Sequence, residues 1–193
     1  FLSEYIIILI LRNYEPSFEL NESILIIGGN DGEDWLSSFN AFSTSHDFMR
    51  SLRSLSTARA YASAAIFNEE IYVFGGTNGS SHYNTVEAYN FARDEWLRRP
   101  SLNKSKGSLG GAVVNGKLFA IGGGNGVECF SDVEMLDPYI GRWSEARSML
   151  QKRFTVNAVE LNGAIYAVGG FDGDNYLSST ERFDPREHHW SRI

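Results

Sequence analysis

Cysteine occurs once in the 193 residues, so the chain can build neither an internal disulfide framework nor a cysteine-rich zinc site. That composition suits an intracellular domain, cytoplasmic or nuclear, held together by packing. A basic excess is lacking as well. Seventeen Lys and Arg stand against 24 Asp and Glu, a net charge of −7, which argues against the cationic stripe that binds nucleic acid by releasing counterions. Long apolar runs are also missing. The longest, Tyr5 to Leu11, has seven residues, where a membrane-spanning helix needs about 20. Neither nucleic acid nor membrane is therefore expected as a partner. With 42% hydrophobic and only 21% charged residues, the chain can bury a core rather than remain disordered.

What the sequence has in quantity is repetition. Glycine pairs fall at Gly28/Gly29, Gly75/Gly76, Gly122/Gly123 and Gly169/Gly170, each 47 residues after the last. Four further series keep the same step: Trp96, Trp143 and Trp190; Asn21, Asn68, Asn115 and Asn162; Gly32, Gly79, Gly126 and Gly173; and Arg12, Arg59, Lys106 and Arg153. Agreement of five series without an insertion makes the chain four copies of one unit. The last copy shows the unit most plainly. An apolar stretch, Thr155 to Leu161, meets the hairpin pair Asn162-Gly163; Ile165 to Val168 ends at the glycine pair; Ser179 to Phe183 stops at Asp184-Pro185; and Trp190 opens a fourth strand. Four antiparallel strands in each unit of about 45 to 50 residues describe a propeller blade. The continuous apolar strands Ile24 to Ile27, Ile71 to Phe74 and Leu118 to Ile121 fit sheets covered on both faces.

The phrases IYVFGGTNG, LFAIGGGNG and IYAVGGFDG, followed by VEAYN, VEMLD and TERFDP and then by the three tryptophans, resemble the kelch repeat. The likeness runs from Arg12 to the C-terminus. A narrower one, carried by KGSLGGAVVNGKLFAIGGGNGVECFSDVEMLD and LQKRF, is to the propeller half of plant kelch proteins that also carry a development-and-cell-death domain. The fold expected is all-β: a kelch-type propeller of about four four-stranded blades, an open and incomplete ring, since kelch propellers commonly close with about six or seven. The blades divide as 12–58, 59–105, 106–152 and 153–193, behind an atypical apolar segment 1–11 in the place of a preceding outer strand. The fourth outer strand reads as cut short, and both ends read as a truncation. The first copy is degenerate, with Met49 where the others have Trp and Asn40 where they have Glu87, Glu134 and Glu181.

Candidate functional residues fall into two groups. In ubiquitin-ligase receptors of the kelch type, the arginines matching Arg12, Arg59, Lys106 and Arg153 ring the channel mouth and clamp acidic peptides, so the resemblance implies a ligand clamp. Those residues could instead pair with Glu or Asp of adjacent blades. The Glu of each third strand is expected to bind backbone or a neighbouring Arg, because a buried carboxylate without a partner is costly. The second group lies in the loops after the glycine pairs, which change from copy to copy on a constant frame: Asn30, Trp35, Thr77, Asn78, His82, Asn125, Phe171, Asp172 and Tyr176. No helix follows the glycine pairs to make a phosphate cradle, and the pairs read as structural. His46, His82, His188 and His189 are not spaced as metal ligands, and Cys129 reads as a plain loop thiol. The expectation is a non-catalytic protein-interaction module without metal or cofactor, presenting a rim of Arg, Asn and aromatic side chains to a partner protein, with an acidic peptide segment as one candidate ligand. The alternatives are the substrate-recognition module of a cullin-type ubiquitin ligase and, less favoured, a propeller enzyme.

Overall fold

The computed structural model describes residues 7–10 and 23–193. Among the described residues, sixteen strands form four separate four-stranded antiparallel sheets, each in sequential strand order. Blade 1 holds β1 (Ile7–Ile10), β2 (Ser23–Asn30), β3 (Trp35–Ser43) and β4 (Phe48–Leu52); blade 2 holds β5 (Ser63–Phe67), β6 (Glu70–Phe74), β7 (Val86–Asn90) and β8 (Glu95–Arg99). Blade 3 holds β9 (Gly110–Val114), β10 (Lys117–Ile121), β11 (Val133–Asp137) and β12 (Arg142–Ala146), and blade 4 holds β13 (Asn157–Leu161), β14 (Ala164–Val168), β15 (Thr180–Asp184) and β16 (His189–Arg192). One expectation is corrected here. Ile7–Ile10 is not a preceding outer strand; it pairs antiparallel with Ile24–Ile27 and so begins blade 1 itself, ahead of the Arg12 boundary.

Local chemistry explains the hairpins. Asn68, Asn115 and Asn162 all take positive φ, followed by Glu69, Gly116 and Gly163, also at positive φ, as a two-residue turn matched to strand twist requires. The core lies between sheets rather than within one. Leu25, Ile27 and Phe39 of blade 1 bury against Ile71, Val73 and Tyr89 of blade 2; equivalent layers join blade 2 to blade 3 and blade 3 to blade 4. Trp96, Trp143 and Trp190 each tie their blade to the one before. The Trp96 ring lies 5.4 Å from Phe39 and the Trp143 ring 5.8 Å from Phe74. Their indole N–H groups donate to the carbonyls of Arg53 (2.6 Å) and Pro100 (2.9 Å), and that of Trp190 donates to Arg147 (2.7 Å). Burying a large ring while satisfying its one donor is a strong inter-sheet fastening. Blade 1 lacks it: Met49 is nearly half exposed, and Asn40, in place of the glutamate, accepts from the Ser51 hydroxyl.

Candidate functional site

The segments joining successive blades decide which of the predicted residues can meet a partner. Arg12 lies outside the described residues. Arg59, Lys106 and Arg153 are each 0% exposed, and here the structure corrects the clamp reading. Arg59 donates to the carbonyls of Gly75 (2.9 Å) and Thr85 (3.1 Å), to the Thr85 hydroxyl (3.0 Å) and to Glu87 Oε1 (2.9 Å). Arg153 repeats the pattern with the Gly169 and Ser179 carbonyls, the Ser179 hydroxyl and Glu181. The glutamates use their remaining capacity on the same joining segment, accepting from the backbone N–H of Ser56, Asn103 and Leu150 respectively. Each cation is thus spent fixing its own joining segment to the third strand of the following sheet. Both roles expected of the glutamates, backbone acceptor and partner of a basic residue, are present, and none of Arg59, Lys106 and Arg153 is free to grip an acidic peptide.

The glycine pairs complete the junction. A Cβ on Gly28, Gly75 or Gly122 would stand 2.4 to 2.6 Å from the backbone oxygen of Arg59, Lys106 or Arg153, a separation no side chain tolerates. The same oxygens accept from the N–H of Gly29, Gly76 and Gly123 at 2.8 to 2.9 Å. Glycine stands there because two backbones meet.

Past the glycines, each blade extends into a small rim loop. Isolated bridges link Ala60 to Thr77 to His82, Gly107 to Gly124 to Cys129, and Phe154 to Phe171 to Tyr176. Several predicted residues serve the loop itself. Asn78 Oδ1 accepts from the N–H of Ser80 and Ser81, Asn125 Oδ1 from Val127 and Glu128, and Asp172 Oδ1 from Asp174 and Asn175. These are Asx turns, and in Asp172 they hold the carboxyl below its usual pKa. Asn30 accepts from Gly32 and donates to the Asp34 carbonyl. Thr77 is buried, its hydroxyl donating to the Ser81 carbonyl and accepting from Gly79. Trp35 leans on Gly79, and His82 on Gly126, where added Cβ atoms would come within 2.7 and 3.0 Å of the rings. Burial pulls the His82 imidazole below its ordinary pKa.

What the structure brings together is a groove of about 450 Å³ between the rim loops of blades 3 and 4, lined by Gly126–Cys129, Lys152, Phe154 and Phe171–Asp174. Phe171 and Asp172 were expected there; Lys152, Phe154 and Val127 were not. The signal for them was departure from the repeat. Bridge pairs that are small in earlier blades, Ala60/Thr77 and Gly107/Gly124, become Phe154/Phe171, and Phe154 lies against Gly124, whose Cβ would meet its ring at 3.0 Å. Tyr176, 91% exposed, lies with its ring tilted 49° to that of Phe171 at 5.2 Å, and Val127 is 94% exposed at the groove's lip. Burial pushes the Cys129 thiol upward in pKa, away from the thiolate a nucleophile needs.

Four four-stranded sheets joined face to face by tryptophans define a β-propeller, and the paired glycines at each junction define its kelch kind. The chain belongs to the kelch-repeat family: residues 14–155 match the KLHDC2/KLHL20/DRC7 Kelch-repeats domain, and residues 152–193 match the Kelch motif. The solved structure of YjhT is similar in fold, with a TM-score of 0.76 at 16% identity, covering 89% of this chain and 62% of that one. The chain thus spans less than two thirds of that protein's length. A search of the curated proteins gives no significant match. Kelch repeats generally mediate protein–protein interaction and are typically non-catalytic. Among the described residues, no helix is long and apolar enough to cross a membrane.

Proposed function

We propose that this chain is a protein-interaction module that seats an extended segment of a partner protein in the rim groove between blades 3 and 4. The observation that carries this reading is the replacement of small rim residues by Phe154 and Phe171, flanked by exposed Tyr176 and Val127, on a frame that is otherwise repeated. Exposed aromatic side chains that need no water are the usual anchors of an interface. The groove's charge favours one kind of ligand. Glu128, Asp172 and Asp174 outnumber Lys152, so an apolar side chain next to a basic one fits better than an acidic peptide, since Arg59, Lys106 and Arg153 are buried in the junctions.

A peptide array tests this, with probes pairing Phe, Leu or Trp with either Arg or Glu. Wild-type protein is expected to prefer the Arg-flanked probes, and Tyr176→Ala or Phe171→Ala to weaken capture about tenfold or more with little change in melting temperature. Unaltered array profiles for both variants would refute the groove. Membership alongside KLHDC2 and KLHL20 favours a second version, in which the same groove recognises substrates for a cullin-type ubiquitin ligase; the likeness to plant development-and-cell-death kelch proteins favours a scaffold. Co-purification of a cullin from cells supports the former, and its absence while peptide binding persists supports the latter.

A further inference from the structure

Besides their Asx turns, the rim loops repeat a second feature. Trp35, His82, Cys129 and Tyr176 recur at the 47-residue step and hold one backbone place in every loop. Each is bridged to the residue that follows the glycine pair: Trp35 to Asn30, His82 to Thr77, Cys129 to Gly124 and Tyr176 to Phe171. Between blades 1 and 2, and again between blades 2 and 3, the side chain at this place is a planar ring laid on a glycine of the next loop. A Cβ on Gly79 would stand 2.7 Å from Trp35 Cζ2, and one on Gly126 would stand 3.0 Å from His82 Cε1. Between blades 3 and 4 the residue is Cys129, and a Cβ on the matching Gly173 would meet nothing within 4 Å. The backbone is kept and the ring is gone.

The space is not refilled from the other side. Phe154 stands where the earlier junctions have Ala60 and Gly107, but its ring lies against Gly124, 3.0 Å from a Cβ built there, and leaves Gly173 open. Cys129, Phe154, Phe171 and Gly173 all line the groove between blades 3 and 4. That groove is thus the seat of a ring which the chain supplies to itself at two junctions and omits at the third. Resting on the reading of this groove as a partner site, we infer that the partner supplies the missing ring: a tryptophan side chain that seats between Cys129 and Gly173 as Trp35 seats on Gly79. A bare glycine surface lets a flat ring approach the backbone closely. Phe154 and Phe171 offer it aromatic walls, and the carboxylates of Glu128 and Asp174 in the same groove are acceptors for an indole N–H, which needs a partner when buried.

Titration of the 193-residue chain with N-acetyl-tryptophanamide, and in parallel with N-acetyl-leucinamide, tests it through amide chemical shifts. The indole probe is expected to move the amides of Cys129 and Gly173, while those of Gly79 and Gly126, already covered by rings, stay put; the leucine probe should move none of them. Cys129→Trp places the ring in cis. It should abolish those shifts and lower capture of a Trp-Arg peptide about tenfold or more, with an unchanged or higher melting temperature. Cys129→His repeats the test with the smaller ring found at His82, in case the tryptophan disturbs folding. Equal response to the two probes overturns the inference, as do shifts spread evenly over the three glycines, or a folded ring-filled variant that binds as wild type does. The two readings fail separately. If Phe171→Ala and Tyr176→Ala weaken peptide capture but Trp and Leu peptides bind alike, the groove stands and the ring seat falls. If the indole probe marks Gly173 while no peptide binds, the seat stands and the extended partner segment falls.

Discussion

Lys106 is the odd member of its series, and the difference is chemical. Its Nζ sits 2.8 Å from Glu134 Oε1, yet neither atom has a partner in hydrogen-bonding alignment. Arg59 and Arg153 instead spread their nitrogens over a carboxylate, a hydroxyl and two carbonyls. One ammonium cannot cover sites that a planar guanidinium fork reaches together. Lys106→Arg should therefore stabilise the protein by about 1–2 kcal/mol, read as a higher midpoint in urea with an unchanged slope; a lower midpoint would show that blade 3 is packed around the lysine. The sequence displayed these basic residues but not their direction, because a clamp facing solvent and a pin facing the core need the same residue at the same spacing. The glutamate 28 residues later was the deciding clue. It recurs in step with each cation in blades 2 to 4, and blade 1 lacks it, having Asn40.

At the scale of the element, the rim loops share one turn built with two chemistries. Asp31 and Asp172 accept backbone N–H bonds where Asn78 and Asn125 do the same without charge. Those bonds hold Asp172 below its usual value of 3.8, mainly through the N–H of Asn175 and then of Asp174. A depressed carboxylate gives stability that is fully present above the unfolded value and lost as pH falls through the folded one. The blade 4 loop should accordingly loosen below pH 3.8, while the blade 3 loop should not. Amide chemical shifts of Asp174 and Asn175, followed on acidification, are expected to move there as those of Val127 and Glu128 stay put. Parallel movement in both loops would mean a global transition instead. Variability made these side chains look like ligand contacts in the sequence. An Asx residue directly before or within one residue of glycine is first a turn former, and that chemistry accounts for Asn78, Asn125 and Asp172. The aromatic pair Phe154/Phe171 has no such local use, which is why it remains for the groove.

The described residues form a row of sheets packed neighbour against neighbour, so stability is close to a sum of junctions. Copy number and four strands per blade followed from the 47-residue step. The origin of β1 did not: counting back from Ser63–Phe67 reaches residues 16–20, whereas the strand paired with Ile24–Ile27 is Ile7–Ile10, an unbroken aliphatic run with no sequence counterpart in the other copies. A row of this kind has inner and outer junctions with different consequences. Leu102 lies buried between blades 2 and 3, and Met149 between blades 3 and 4. Truncating either to alanine removes similar apolar volume, at about 2–5 kcal/mol, but the two losses fall in different places. Leu102→Ala weakens the centre and should lower a single cooperative transition. Met149→Ala weakens the attachment of a terminal blade whose far face is already exposed, and should split the melt. In hydrogen exchange, β14 would then lose protection ahead of β6 and β10. Equal single transitions for both variants would show that the four blades unfold as one unit and that junctions do not act separately.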